Sequence, residues 1–600
     1  MVNNVMKDSF SLKKKEYEKA YEELQKKYSR ISALRVLSFL LGFAFLMIGI
    51  ADKVFLAGIC GGLFLLFFVC LVKKHSDVVE ATEDVASKII VTDRYEKRFL
   101  GEWRLFEEDG EEFLTLEDTL AKDLDLLGKN SLYQMISLAH TSKGKELLAK
   151  NLKLSDFSSL EIEKRYEAIK ELSSNVELLI DFESAGIRLE KQKKKSDTIA
   201  FEEACQENKG SFLPRWANVI RILLPVLELG LIAMWGLGIL HYGFPLLGFV
   251  AILSISWLTK TVTDRVILPL FSINYGINEY LKMLEIVNRY DYDSEYLSDI
   301  KKKIAGEEGI LSGFKSLRRI SQAYNISFNP LIHQVMSGLF LWDYQLAHCM
   351  DRWKRNYGDR VADIFDLLGE AEELMSLSVI PIVRQTGKPC ISFEEKQAIK
   401  IHAEDLYHPL IDPEQVQENS VDIDSGITII TGSNMSGKTT FLRTLAMNLV
   451  LAYMGAPICG QKLESGYMKI FTSMRVTDDV ANGISTFYAE ILRIKAMAEY
   501  KEKNKPMICF IDEIFKGTNS ADRIVGAREA ISKLAGKNSI TLVSTHDFEL
   551  CNINDKDGRH AVNYHFQEYY EEGKLKFDYK IREGRCTTTN ARELLKMAGF

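Results

Sequence analysis

Gly432, Ser433, Asn434, Met435, Ser436, Gly437, Lys438 and Thr439 form the segment of this chain whose residue types and spacing point most directly to chemistry. The short apolar run Ile427–Thr431 precedes it, and the helical pattern Thr440–Tyr453 follows. Strand, glycine-rich loop and helix in that order match the phosphate-binding P-loop in full. Glycines let backbone N–H groups turn toward phosphate oxygens, and the helix N-terminus beside Thr440 adds partial positive charge. Lys438 is placed to reach the β- and γ-phosphates, and the Thr439 hydroxyl to ligate Mg²⁺.

Two further strand ends carry matching chemistry. Met507–Ile511 ends in Asp512 and Glu513. A carboxylate at a strand end beside a P-loop can hold Mg²⁺, and its neighbour can deprotonate the attacking water. Asp512 is therefore the expected metal residue and Glu513 the expected general base. Ile540–Ser544 leads into Thr545, His546 and Asp547. A lone histidine is usually structural, but at this strand end His546 is placed to sense the γ-phosphate. The nine cysteines are scattered without a CxxC pair, which removes zinc-ribbon and thioredoxin-type readings and fits a reducing compartment.

Elements must position these groups. The region from Ser378 onward alternates short β-branched runs with helical patterns, as an α/β domain does. Upstream the pattern is helical: Phe99–Leu189, and again Asn274–Leu377, where Asn329-Pro330 and Ser337-Gly338 are among the few breakers. Six hundred residues exceed a single core, so three or more structural units are expected.

Four apolar runs stand out as two pairs: Ile31–Ile50 with Val54–Val72, and Ile222–Leu240 with Phe244–Leu258. Each is near the ~20 residues a helix needs to cross a bilayer, the last being shortest. The short links within each pair predict two transmembrane hairpins rather than buried core helices. The long charged segment ahead of Ile31 argues against a signal peptide. Lys26, Lys27, Arg30, Lys73, Lys74, Arg215, Arg221, Lys260 and Arg265 flank the runs, whereas the hairpin turns hold only Lys53 and His241. The expected location is the cytoplasmic (inner) membrane, multi-pass, with the bulk of the chain facing the cytoplasm. Arg35 can snorkel to the interface. Glu228 lies inside the third run, where an acid is a functional candidate unless it is paired or protonated.

The motifs together resemble the DNA mismatch repair MutS family, whose ATPase belongs to the ABC superfamily. The segment Asp478-Asp479…Ser485-Thr486-Phe487-Tyr488-Ala489-Glu490 is similar to that family's Asp-Asp…Ser-Thr-Phe-x-x-Glu. The loop 432–439, Asp512-Glu513-Ile514…Gly517-Thr518 and Thr545-His546 also match it, and Leu406–Leu410 resembles the stretch that opens its ATPase domain. The resemblance implies ATP and Mg²⁺ as cofactors and a homodimer through the ATPase domains, with Ser485 acting in trans. It places His408 and the segment near Val416 at the nucleotide, Val416 standing where an aromatic residue often lies under the adenine. Farther upstream, Asp123–Leu148, with Thr141-x-x-Gly144, and the helix Glu161–Leu172 look like the start of the MutS core, and Asp363–Val379 like its lever helix.

The expected fold is thus a C-terminal α/β P-loop ABC-type ATPase domain joined to an all-α MutS-like core/lever domain, with two transmembrane helical hairpins. Its divisions are 1–30, a charged amphipathic helix; 31–72, the first hairpin; 73–216, the first part of the core; 217–260, the second hairpin; 261–400, the second part of the core with the levers; and 401–600, the ATPase domain. A hairpin starting near Ile31 leaves no room for the wedge domain with which MutS reads mismatches, so specific mismatch recognition is not carried over. Nor is the family's terminal helix-turn-helix expected after residues 587–595.

Three functions compete. A membrane-tethered ATP-dependent clamp would take double-stranded DNA, with Lys315, Arg318 and Arg319 as candidate phosphate contacts or simply a solvated helix face. The net charge of −7 does not favour that partner. A nucleotide-driven scaffold or sensor would act on an unknown protein partner. An ABC-type transporter is disfavoured, because Ser485-Thr486-Phe487 stands in place of the transporter signature Leu-Ser-Gly-Gly-Gln.

Overall fold

The computed structural model describes residues 4–586 except 53, 154–155, 193–197, 207–212, 307–308, 394–398, 476–485, 516–519, 556–557 and 572–573. Asp478, Asp479, Ser485, Gly517, Thr518 and residues 587–595 of the motifs above lie outside the described residues.

Two long helices open the chain, α1 (Asn4–Ala51) and α2 (Phe55–Phe99), packed as an antiparallel hairpin. At 48 residues α1 is roughly 70 Å long. The apolar run Ile31–Ile50 is only its second half. Nothing in the charged Ser11–Arg30 stretch breaks a helix, so the change of composition is not a change of structure. The apolar halves expose Leu40, Phe43, Leu63 and Leu66. Small residues draw the two helices together there: a Cβ on Gly61 would lie 2.8 Å from the Leu46 backbone nitrogen. The charged halves behave as soluble helices. Phe10 is fully buried and stacks on Tyr95 with ring centroids 4.2 Å apart. Lys14 Nζ sits 2.8 Å from Asp93 and 2.7 Å from Glu96. Burial works against its charge, but the two carboxylates outweigh that and raise the Lys14 pKa to about 12.

The helical core continues through α3 (Thr119–Asp123), α4 (Leu132–Ile136), α5 (Ser142–Lys153), α6 (Ser159–Ser174), α7 (Val176–Gln192) and α8 (Thr198–Gln206). A second apolar group follows as α9 (Arg215–Gly236), α10 (Gly243–Leu258) and α11 (Lys260–Ile273). The core resumes with α12 (Ile277–Arg289), α13 (Glu295–Ala305), α14 (Ile310–Asn325), α15 (Pro330–Phe340), α16 (Trp342–Tyr357), α17 (Val361–Leu377) and α18 (Val379–Val383). Helices α1, α2 and α9 are each long and apolar enough to cross a membrane, and α10 with α11 qualifies as a pair bent by 57°.

Pro225 inside α9 cannot donate to Arg221 O, and Gln345 Nε2 of α16 takes that carbonyl at 2.7 Å. Glu228 is 2% exposed, and its Oε2 has no hydrogen-bond partner. The carboxyl lies where a Cβ on Gly248 of α10 would come within 2.1 Å of Oε2. Asn329 and Pro330 start a helix rather than interrupt one. Asn329 Oδ1 accepts from Ile332 N at 3.2 Å, and Pro330 occupies the first turn of α15. Gly338 lies inside α15, where a Cβ would meet the Phe249 ring at 2.3 Å. The bare glycine therefore lets α15 close on α10. With Leu331, Ile332 and Val335 exposed, α15 adds an apolar face beside the second hairpin.

Helix α17 organises the core through two adjacent buried acids. Glu372 accepts from the backbone N–H groups of His140 (2.9 Å) and Thr141 (3.1 Å) and from the Thr141 hydroxyl, just ahead of α5. Gly144 is needed there, since a Cβ would lie 2.0 Å from Glu372 Oε2. The Thr-x-x-Gly phrase is thus the socket for the Glu372 carboxylate of α17. Glu373 accepts from Arg165 Nη2 of α6 at 2.6 Å and from Asn151 Nδ2 at 2.8 Å.

The C-terminal part holds two sheets. β1 (Pro389–Ser392), β2 (Lys400–Leu406), β3 (Asn419–Asp424) and β5 (Lys462–Gly466) form one in the order β1-β5-β2-β3. β4 (Gly426–Thr431), β6 (Lys469–Ser473), β7 (Met507–Asp512), β8 (Ser539–Thr545), β9 (Val562–Glu571) and β10 (Lys574–Glu583) form the other in the order β10-β9-β4-β8-β7-β6. All its pairings are parallel except β9–β10. Helices α19 (Lys438–Tyr453), α20 (Thr486–Lys501) and α21 (Ser520–Leu534) complete the domain. One apolar core runs from Phe10 in α1 to Phe566 in this sheet, and a second, around Ile494, Ile511 and Ile531, involves α20 and α21.

Candidate nucleotide site

β4, β7 and β8 are the three strands expected from sequence, and their C-terminal ends lie side by side. Thr431 is in register with Thr545, and Asp512 with Ser544. β8 stands between β4 and β7, so the glycine-rich loop after β4 faces Asp512 and Glu513 across His546.

Loop 432–437 turns on positive-φ positions: Gly432 at 148°, Met435 at 67° and Gly437 at 110°. At Gly432 a Cβ would lie 2.7 Å from Ser436 Oγ and 2.9 Å from Phe566 O, so no side chain fits. Lys438 is 5% exposed and donates to the loop carbonyls of Gly432 (2.8 Å) and Ser433 (2.9 Å). Thr439 Oγ1 donates to Asp512 Oδ2 at 2.8 Å, and Ser544 Oγ donates to the other carboxylate oxygen. A hydroxyl and a carboxylate in contact form an all-oxygen donor set that fits Mg²⁺. Met435 is 85% exposed, and Thr440 is exposed on the first turn of α19.

Glu513 has φ +51° and Phe515 φ +61°, conformations that cost non-glycine residues energy. The turn is held by Glu513 N donating to Ser544 O (3.0 Å) and Phe515 N donating to Glu490 Oε1 (2.7 Å). The glutamate of the Ser-Thr-Phe-x-x-Glu phrase thus supports the turn carrying the candidate base. His546 Nε2 lies 2.9 Å from Glu513 Oε1, 2.6 Å from Asn434 Oδ1 and 3.3 Å from Lys438 Nζ. Two acceptors at one ring nitrogen require the proton on Nε2, so the Lys438 approach is apposition rather than a hydrogen bond. His546 therefore bridges the loop and the candidate base.

His408 is buried behind α19, its Nδ1 accepting from Leu410 N at 3.2 Å. Burial, with Arg443 nearby, lowers its pKa to about 4, so it is neutral at ordinary pH. Val416 follows a turn whose backbone returns to Asp412 O at 2.9 Å and packs half-buried on the main core. Two aromatic rings lie against the loop, the buried Phe566 of β9 and the exposed Tyr579 of β10, and sequence reading missed the exposed one. Its ring would touch a Cβ on Gly437 at 3.2 Å. It has φ +54° at a register shift between Phe577 and Ile581, pinned by Asn419 Nδ2 donating to Tyr579 O (3.0 Å) and Ile581 N donating to Asn419 Oδ1 (2.8 Å). The aromatic-rich alternation of 574–583 was the available signal.

Residues 428–600 match the family model for MutS domain V. The DNA mismatch repair protein MutS of Streptococcus thermophilus (strain ATCC BAA-491 / LMD-9) is 28% identical over 248 residues, 41% of this chain and 29% of that protein. MutS of Staphylococcus epidermidis (strain ATCC 12228 / FDA PCI 1200) is 28% identical over 266 residues, 43% of this chain and 29% of the relative. MutS of Streptococcus pyogenes serotype M5 (strain Manfredo) matches over 266 residues at 28%, with 30% of it covered. The chain spans less than a third of the length of these relatives. The matched region, residues 428–600, carries the loop and strand ends just described, and this part of the chain is a MutS domain V by its similarity to these proteins.

Proposed function

We propose that this protein is a membrane-anchored, Mg²⁺-dependent ATP hydrolase whose nucleotide cycle moves its helical core. The observation that carries this reading is the meeting of Lys438, Thr439, Asp512, Glu513 and His546 at adjoining strand ends. Loop 432–439 acts as a P-loop: its N–H groups and the α19 N-terminus receive the phosphates, and Lys438 exchanges its loop carbonyls for β/γ-oxygens. Thr439 and Asp512 would hold Mg²⁺, which would supply charge neutralisation for the phosphates. Glu513 takes a proton from the attacking water, and His546 reports the γ-phosphate to the loop and to Glu513. Tyr579 offers a face to the base. Ser485 completes the site from a second copy, so the working unit is a homodimer through the ATPase domains.

Exposed apolar residues on α1, α2, α9 and α10 support anchoring through two hairpins in the cytoplasmic (inner) membrane, with α15 as an added apolar element and the remaining domains facing the cytoplasm. The name of the relatives supports duplex DNA as the partner of the core, bound as by a clamp. A protein partner is the second reading. It is favoured by Lys315, one of the candidate phosphate contacts, standing 3.6 Å from Glu285 and so already facing an acid. ATP hydrolysis by detergent-purified protein, measured without DNA, with matched duplex and with mismatched duplex at fixed salt, separates the two. Stimulation by duplex supports the clamp, and a mismatch preference would extend it to repair. Hydrolysis indifferent to DNA moves the reading to the protein partner.

A further inference from the structure

Two acids of the helical core, Asp123 and Asp125, reach into the nucleotide-binding domain. Asp123 is fully buried and accepts from the N–H groups of Met474 (3.0 Å) and Arg475 (3.1 Å) at the end of β6, and from Arg493 Nη1 of α20 (2.8 Å). Asp125 accepts from Arg443 Nη1 of α19 (3.0 Å) and from both terminal nitrogens of Arg475, one at 2.9 Å. Arg493 Nη2 also reaches Arg475 O at 3.3 Å. Three arginines from three elements of one domain therefore converge on a three-residue stretch of another.

Each anchored element bears on the site. Arg443 is one helical turn beyond Thr439, so what holds it fixes the rotation of the helix that begins with Lys438 and Thr439. α20 carries Glu490, which holds the turn bearing Glu513. At the far end of α19, Arg165 Nε of the core donates to Met454 O at 2.7 Å while its Nη2 pairs with Glu373 of α17. The core thus grips α19 at both ends. Charge-assisted bonds of this length are directional and hold geometry as well as adding energy.

We infer that Asp123 and Asp125 are positioning residues for ATP turnover, setting α19 and α20 against the end of β6 so that hydrolysis answers to the helical core and its hairpins. This rests on the ATP hydrolase reading above. Asp125→Asn isolates the charge, because φ at this position is +51° and asparagine accepts that conformation readily. The test compares the full-length variant with wild type in detergent for kcat, KM, binding of a fluorescent ATP analogue and thermal unfolding. The expected result is a kcat lowered at least about tenfold, with nucleotide affinity within about twofold and melting unchanged, since small misplacements cost rate more than binding. Arg475→Gln should do the same, and the double variant should be no worse than either single change. Unchanged kcat in both single variants, or affinity and melting temperature falling together with rate, overturns the inference. Wild-type protein that neither binds nor hydrolyses ATP would instead sink the hydrolase reading, and the positioning role with it.

Discussion

Arg165→Met tests the junction between α17 and the C-terminal α/β domain. Arg165 is 1% exposed, and its guanidinium makes a 2.6 Å contact with Glu373, a 2.7 Å bond to Met454 O and a stack on Phe157 with 4.2 Å to the ring centroid. Methionine keeps the apolar stem but strands Glu373, itself fully buried, with Asn151 Nδ2 as its remaining side-chain donor among the described residues. Removing one partner of a buried ion pair typically costs ~3–5 kcal/mol, because the other charge is left uncompensated. For a domain of this size each kcal/mol moves the midpoint by about 2–4 °C, so the melting temperature should fall by at least about 6 °C. Arg165→Met with Glu373→Gln removes both charges and should recover most of that loss. Differential scanning fluorimetry of the detergent-solubilised protein reads both numbers. A single variant as stable as wild type, or a double variant no better than the single, would refute the ion-pair account of this junction.

Other consequences are equally direct. His408 has a folded-state pKa near 4 against an unfolded value near 6.5, so the unfolded chain binds the extra proton between those values. Its contribution to stability is complete above about pH 6.5 and is lost as pH falls, by about 2 kcal/mol at pH 5. His408→Asn keeps an acceptor for Leu410 N without titrating in this range, and should flatten the melting temperature between pH 7 and pH 5 relative to wild type; parallel profiles would count against it. Tyr579→Ala should raise the KM for ATP by about fivefold with little change in kcat, at the low end of base–aromatic stacking energies, ~1 kcal/mol; an unchanged KM removes Tyr579 from the base site. Gly338→Leu should separate α15 from α10 by forcing a side chain into Phe249, lowering the yield of folded protein in detergent while Gly62→Leu, with open space around its Cβ, does not.

The candidate nucleotide site was legible because its residues are local. β4, β7 and β8 are short apolar runs, each ending in the candidate site residues, so strand and proposed role were read from the same few positions. Tyr579 escaped because it reaches Gly437 from 142 positions away, through a β-bulge that no short motif encodes. Thr141, Gly144 and Arg165 were visible only as family phrases. Their physical reason, sockets for Glu372 and Glu373, needed helix α17, more than 200 residues later. Asn329-Pro330 looked like a break because the same pair serves equally well as a helix start. The charged halves of α1 and α2 were hidden by composition: each helix joins a charged and an apolar half without interruption, and hydropathy registers only the apolar one.

The central claim is that the strand ends around loop 432–439 hydrolyse ATP with Glu513 as the base. Glu513→Gln keeps the shape of the side chain and its approach to His546 while removing the basic group. Equilibrium binding of labelled ATP and steady-state phosphate release should be measured on wild type and variant together, with Mg²⁺ and after its chelation. The account predicts wild-type binding by the variant, turnover lowered by at least about a hundredfold, and loss of turnover in both on chelation. Turnover by Glu513→Gln equal to wild type would contradict it.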